Sequence, residues 1–179
     1  MDDDGLEVQV STIFARDAIR QLVARYAWCV DTRDLDALVQ LFVDDVRVSE
    51  TASGRAALRE SFAEQLRAIG PTTLMVGNHI IDLDPNAPEL ATGIVYCRAY
   101  IQEPQGFVEQ MIVYSDRYRR DIDGWRFVGR RHELFYGITT SESPHDQAPA
   151  DWPQHSVGVG TLPFRLDTWQ RFVATGTSP

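Results

Sequence analysis

At Gly70-Pro71 the apolar repeat of this chain changes from a helical period of about 3.6 to a strand period of about 2. Before the break, apolar residues recur at i, i+3, i+4 and i+7; after it they alternate with polar ones. Three helices and a short strand, followed by a meander of four longer strands, predict an α+β fold: a curved antiparallel sheet with the helices packed on one face. A sheet bent over helices leaves a conical cavity, a natural place for a small molecule.

Ile19, Leu22, Val23, Tyr26 and Val30 share one face of the first helix, which Ser11 or Asp17 caps. Asp31-Thr32-Arg33-Asp34 interrupts that pattern, and Asp34 caps a short second helix with Leu35, Leu38, Leu41 and Phe42 on its apolar side. Val46 to Glu50 reads as a short strand, and a third helix runs from about Arg55 to Ala68. Four strands follow near 72–84, 90–103, 107–121 and 125–138. Residues 1–11 are expected to form a flexible acidic tail, 12–138 the domain, and 139–179 an irregular extension with a short helix from Leu166 to Ala174.

Charge narrows the function. All 17 basic residues are arginine, which removes Schiff-base and P-loop lysine chemistry, and the net charge of −9 disfavours nucleic acid and anionic membranes as partners. The acidic N-terminus lacks the features of a secretory signal, and Cys29 and Cys97 read as buried free thiols, so a cytoplasmic location is expected. No metal-binding, phosphate-binding or dinucleotide-binding spacing occurs; no metal and no cofactor are expected.

Asp31 ends an apolar helix face, where partial desolvation would raise its pKa and make it a base. Tyr26, five residues earlier, would present a phenol to a developing oxyanion. Strand alternation places Met75, Gly77, His79 and Ile81 on one face, which makes His79 an acid–base candidate if that face lines the cavity. His132 reads as structural or rim-lining. Trp28, Met75, Tyr114 and Arg130 are candidates for substrate contact. Strand arginines usually pair with a cross-strand acid such as Asp116 or Glu109; one of them can instead bind a carboxylate substrate, and no spacing selects which.

Several segments together resemble the SnoaL-like branch of the NTF2-like superfamily: Ile19 to Leu38, Leu41 to Val48, Thr72 to Asn78, Tyr114-x-Asp-x-Tyr-x-Arg with Asp-Gly-Trp125, and Arg130. The resemblance implies an NTF2-like cone, with the antiparallel sheet wrapped around three N-terminal helices. It implies dehydratases, isomerases, polyketide cyclases and dehydrochlorinases as relatives, beside non-catalytic small subunits of ring-hydroxylating dioxygenases. In the family's dehydratases a helix-end Asp pairs with a strand His, and a Tyr lies five residues before the Asp. Asp31 and Tyr26 match those positions, whereas Met75 stands at the histidine.

Three routes are therefore expected: His79 takes over, Asp31 works alone with Tyr26, or the cone only binds. The leading expectation is a cofactor-free dehydratase, isomerase or cyclase acting by proton transfer on a hydrophobic oxygenated polycyclic or aromatic substrate. A non-catalytic binding protein or dioxygenase small subunit is the alternative. A homodimer or homotrimer is expected, because the open sheet of this fold packs against another copy.

Overall fold

The computed structural model describes residues 3–151 and 153–176. Three helices come first: α1 (Asp3–Thr32), α2 (Leu35–Gln40) and α3 (Arg55–Arg67). An antiparallel meander follows, β1 (Thr72–Leu83), β2 (Leu90–Glu103), β3 (Gly106–Asp121) and β4 (Gly124–Thr140), in that order across one sheet. A 3-10 turn (Pro144–Asp146) and α4 (Asp167–Thr175) complete the chain. This is the α+β cone expected from the sequence, with the helices covering the concave face of the sheet.

Hydrophobic burial holds the layers together. Ile19, Leu22 and Val23 of α1 meet Leu38, Phe42, Val95, Tyr118 and Phe127 in one buried cluster. Asp34 caps α2 by accepting a hydrogen bond from the Ala37 amide at 3.0 Å. After α2 the chain lies along β4: the Phe127 amide donates to Leu41 O and the Val43 amide to Phe127 O. That contact covers part of an edge strand that would otherwise present unpaired backbone groups. Both cysteines are free and buried. Among the described residues, no helix is long and apolar enough to cross a membrane.

Two expectations are corrected. Residues 3–11 are not a loose tail but the first turns of α1; residues 1–2 lie outside the described residues. Leu6, Val10 and Phe14, spaced four apart, continue the helical stripe along a shallow groove beside Arg120 and Trp125, and acidic residues suit a helix N-terminus. The expected strand at 46–50 is a turn with one isolated bridge, Arg47 to Ser53. The amides of Val48 and Ser49 both donate to Ala52 O, and Ser49 Oγ accepts from the Thr51 and Ala52 amides, so local turn bonds replace a ladder.

Three bulges decide which side chains face inward. Gly77 and Asn78 stand together between the Val76–Cys97 and His79–Val95 pairs of β1 and β2. On β4, Val128 is the extra residue between the Phe127–Tyr118 and Gly129–Arg117 pairs, and Phe135 between the Leu134–Ile112 and Tyr136–Met111 pairs. Because side chains alternate with a period of 2, each extra residue exchanges inward and outward positions beyond it.

Candidate functional site

A cavity of about 460 Å³ opens between α1, α3, the 46–48 turn and the outer half of the sheet. Tyr26, Phe42, Leu58, Phe62, Tyr114, Arg130 and His132 line it, and because β4 is an edge strand, residues 128 to 132 contribute from both of its faces. The bulge at Val128 brings Arg130 and His132 inside: Trp125 and Phe127 point inward before it, and Arg130 pairs with inward Asp116 after it.

Arg130 is the centre of the cavity. Its side chain is only 5% exposed, and that of Asp116 is fully buried. The two form a bidentate pair, Nε to Oδ1 at 2.8 Å and Nη2 to Oδ2 at 2.6 Å. The guanidinium carbon sits 4.3 Å from the ring centre of Tyr26, 4.1 Å from Tyr114 and 4.5 Å from Phe127. Burial works against its charge, but the hydrogen bonds and charge of Asp116 outweigh burial and raise its pKa. Nη1 is buried and makes no hydrogen bond among the described residues. An unpaired donor in such a place carries a desolvation cost that a ligand oxygen would relieve.

Behind this pair runs a second line of contacts. Tyr118 O–H donates to Asp116 Oδ2 at 2.6 Å, so at 3.2 Å His79 Nε2 is the donor to the phenol oxygen. Gly93 leaves room for this meeting, since a Cβ there would fall 2.9 Å from Tyr118 Cε2 and 3.1 Å from His79 Nε2. Burial lowers the pKa of His79 and raises those of Tyr26, Tyr114 and Tyr118. The three phenols therefore stay protonated at neutral pH and remain hydrogen-bond donors.

The residues named from the sequence divide into two groups. Tyr26, Tyr114 and Arg130 meet in the cavity. Asp31 does not line it. Five residues turn a helix by about 500°, leaving Asp31 about 140° away from Tyr26. Its Oδ1 accepts from Thr72 Oγ1 at 2.8 Å and its Oδ2 from the Leu74 amide at 2.9 Å, which joins the end of α1 to β1. Met75 and Trp28 are corrected as cavity residues, being 59% and 58% exposed on outer surfaces. Before the β1 bulge Thr72, Leu74 and Val76 face inward, and after it His79 and Ile81 do; Met75 and His79 thus never share a face. His79 reaches the cavity only through Tyr118 and Asp116.

Asp31 has a measurable signature. Burial pushes its pKa up to about 6, against the Leu74 and Thr72 hydrogen bonds that lower it. The folded state therefore holds this proton more tightly than the unfolded chain. Its stabilising contribution is complete below about pH 4 and is lost as pH rises through about 6. Asp31→Asn keeps an acceptor for the Leu74 amide and does not titrate. The stability of the wild type relative to this variant should fall by about 2–3 kcal/mol from acid to neutral pH, as read by urea unfolding. A difference that does not change with pH would place the carboxylate in water.

The end of α1 is built around Arg33. The Asp34 amide donates to Cys29 O and the Arg33 amide to Val30 O, a helix-ending motif in which Arg33 takes the left-handed position, φ 58°. A non-glycine residue is held there by its own side chain, which donates to Val30 O, Thr72 Oγ1 and Gly70 O and lies 4.8 Å from the ring centre of Trp169 in α4.

Comparison with known proteins fits this architecture. The family model for the SnoaL-like domain matches residues 11–131. No curated protein matches the chain. A crystal structure assigned as a scytalone dehydratase from Novosphingobium aromaticivorans superposes with a TM-score of 0.65 at 19% identity, over 75% of this chain and 93% of that one. An NTF2-like protein with a cystatin-like fold from the same organism gives 0.61 at 24%, over 75% and 90%. A hexachlorocyclohexane dehydrochlorinase, LinA type 2, gives 0.67 at 16%, over 75% and 95%. At these identities the structures show a shared fold.

Proposed function

The chain belongs to the SnoaL-like domain family, and from that premise we propose that it is a lyase or isomerase working by proton transfer on an oxygenated aromatic or polycyclic compound held in the cone. One observation carries the proposal: a buried, charged Arg130 with a free Nη1 in a cavity walled by phenols. Nη1 and the Tyr26 hydroxyl donate to a carbonyl oxygen of the substrate. When the proton beside that carbonyl leaves, negative charge collects on the oxygen, and a preformed cation in a water-poor site stabilises it.

His132 is the base. Among the described residues it is the one imidazole in the cavity lining, at the open end, with its ring 6.4 Å from that of Tyr114. The electron pair left on carbon forms a double bond as a hydroxide or halide departs from the next carbon, or returns elsewhere on the skeleton as an isomerisation. His132 gives its proton to the departing hydroxide. Dehydration and dehydrochlorination, the reactions named for two of the structural relatives, are eliminations of this kind. We read Asp31 as a clamp between α1 and β1 instead of the base expected from the sequence.

A panel of oxygenated aromatic and polycyclic compounds, with binding followed by calorimetry and conversion by mass spectrometry, tests the proposal. His132→Gln should keep affinity and lower turnover about 10²-fold, while Asp31→Asn changes turnover less than about 10-fold. The reverse pattern would return the base to Asp31. Binding by the wild type without conversion of any bound compound favours the non-catalytic reading, which the clamped Asp31 and outward Met75 also support. The expected homodimer or homotrimer remains part of the proposal; Met75, Met111 and Tyr136 lie in one row across the outer face with Arg98, an apolar surface open to a second copy.

A further inference from the structure

We infer that a second pocket, where α4 docks against the ends of α1 and α3, binds a phosphate group between Arg67 and Arg171, over the buried charge of Arg33. The pocket has a volume of about 200 Å³ and shares no lining residue with the cone, so it stands independently of the reaction proposed above.

Docking of α4 builds it. Thr168, Arg171, Phe172 and Thr175 follow i, i+3, i+4, i+7 spacing, so one face of α4 lines the pocket. Thr168 Oγ1 donates to Thr32 O at 2.9 Å and fixes that face to the end of α1. The ring of Phe172 takes a guanidinium from each of two other segments: its centre is 5.9 Å from Arg33 Cζ and 5.6 Å from Arg67 Cζ. The helix thus brings Arg171 up to two arginines already gathered on a single ring.

Counter-charge is what the pocket lacks. Its lining holds four arginines and two carboxylates, Asp34 and Asp36. Asp36 pairs with Arg59 at 2.8 Å, and Asp34 accepts from the Ala37 amide as the cap of α2. Among the described residues, Arg33, Arg67 and Arg171 form no salt bridge. Arg33 is 2% exposed, and its Nε is buried without a hydrogen bond while Nη1 and Nη2 reach Val30 O, Thr72 Oγ1 and Gly70 O. Burial lowers its pKa to about 10, against Asp31, which raises it. A chain with 26 acidic residues against 17 arginines has gathered three cations here and given none of them a carboxylate. Like charges held this close repel, and an anion among them removes the repulsion and gives the buried cation a partner. A phosphate group carries about two negative charges near neutral pH and offers three oxygens, so several guanidinium forks can grip it at once.

The test titrates inorganic phosphate calorimetrically into the full-length protein in chloride buffer at fixed ionic strength, with thermal unfolding as a second readout. Phosphate should bind saturably with Kd below about 1 mM and raise Tm as it binds, and chloride at the same ionic strength should not. Arg67→Gln and Arg171→Gln should each weaken phosphate by at least about 10-fold. Both side chains are exposed, so the fold survives their loss, which the unfolding curve checks. Arg165→Gln, which removes an exposed arginine outside the lining, should leave binding unchanged. Phenyl phosphate distinguishes the sources of the group: tighter binding than inorganic phosphate marks one end of a larger ligand, and equal or weaker binding marks the free ion. No saturable binding up to about 10 mM, binding untouched by both Arg67→Gln and Arg171→Gln, or an equal loss in Arg165→Gln overturns the site.

Discussion

Asp116→Leu should destabilise the fold by about 3–5 kcal/mol, because it leaves the Arg130 cation buried with no counter-charge. The expectation follows from position: the carboxylate is fully buried, receives three hydrogen bonds, and faces a guanidinium with almost no access to water. The pair itself adds little net stability, since removing two charges from water offsets most of their attraction. The double variant Asp116→Leu, Arg130→Met should therefore recover to within about 1 kcal/mol of wild type. Denaturant unfolding of the wild type, both single variants and the double variant measures the coupling. A cost below about 1 kcal/mol for Asp116→Leu would mean that water reaches the pair.

The double variant then isolates what Arg130 does for a ligand. It should fold, keep the apolar cavity, and lose turnover of any converted compound by about 10²–10³-fold, the usual cost of removing one oxyanion donor. A compound that is only bound should lose affinity without a change in which ring systems fit. The measurement is kcat and KM for a compound found by the panel, beside calorimetry with the same compound. Undiminished turnover in the folded double variant would dismiss Arg130 as the electrophile, and with it the proposed reaction. The pair would then be a relic of folding specificity with no part in chemistry.

Much of the fold was legible because periodicity reports burial. The stripe Ile19, Leu22, Val23, Val30 is buried, Asp34 is the cap it looked like, and the four strands begin and end within two residues of their expected bounds. The site was only half legible. Tyr26, Tyr114 and Arg130 converge, and Asp116 proved to be the cross-strand partner of Arg130 as Glu109 is of Arg98. Tyr114, Asp116 and Tyr118 alternate on one face of β3, a signal present in the sequence that names the polar floor of the site before any coordinates.

The errors share a physical origin. Strict alternation put Met75 and His79 on one face, and the bulge at Gly77 and Asn78 divides them. His132, read as structural or rim-lining, does stand at the open end of the lining, on the face of β4 that the bulge at Val128 turns toward Tyr114. A bulge is decided by how two strands register against each other and leaves no mark on the period of either strand alone. Asp31 misled for a related reason: position at a helix end says that a side chain is near the sheet, and the helical angle decides which strand it meets.

The bulges also make the pocket editable in a way that substitutions do not capture. Each one works as a phase shifter: deleting Gly77 or Asn78 would put the two halves of β1 back in step, so that either Met75 turns inward or His79 turns out. Removing Val128 would do the same on β4, exchanging Arg130 and His132 for their outward neighbours. A single codon lost in a strand can thus replace a whole row of cavity side chains at once. For a fold shared by proteins of such different reactions, length changes inside strands offer a route to new pockets that residue-by-residue comparison would score as a gap.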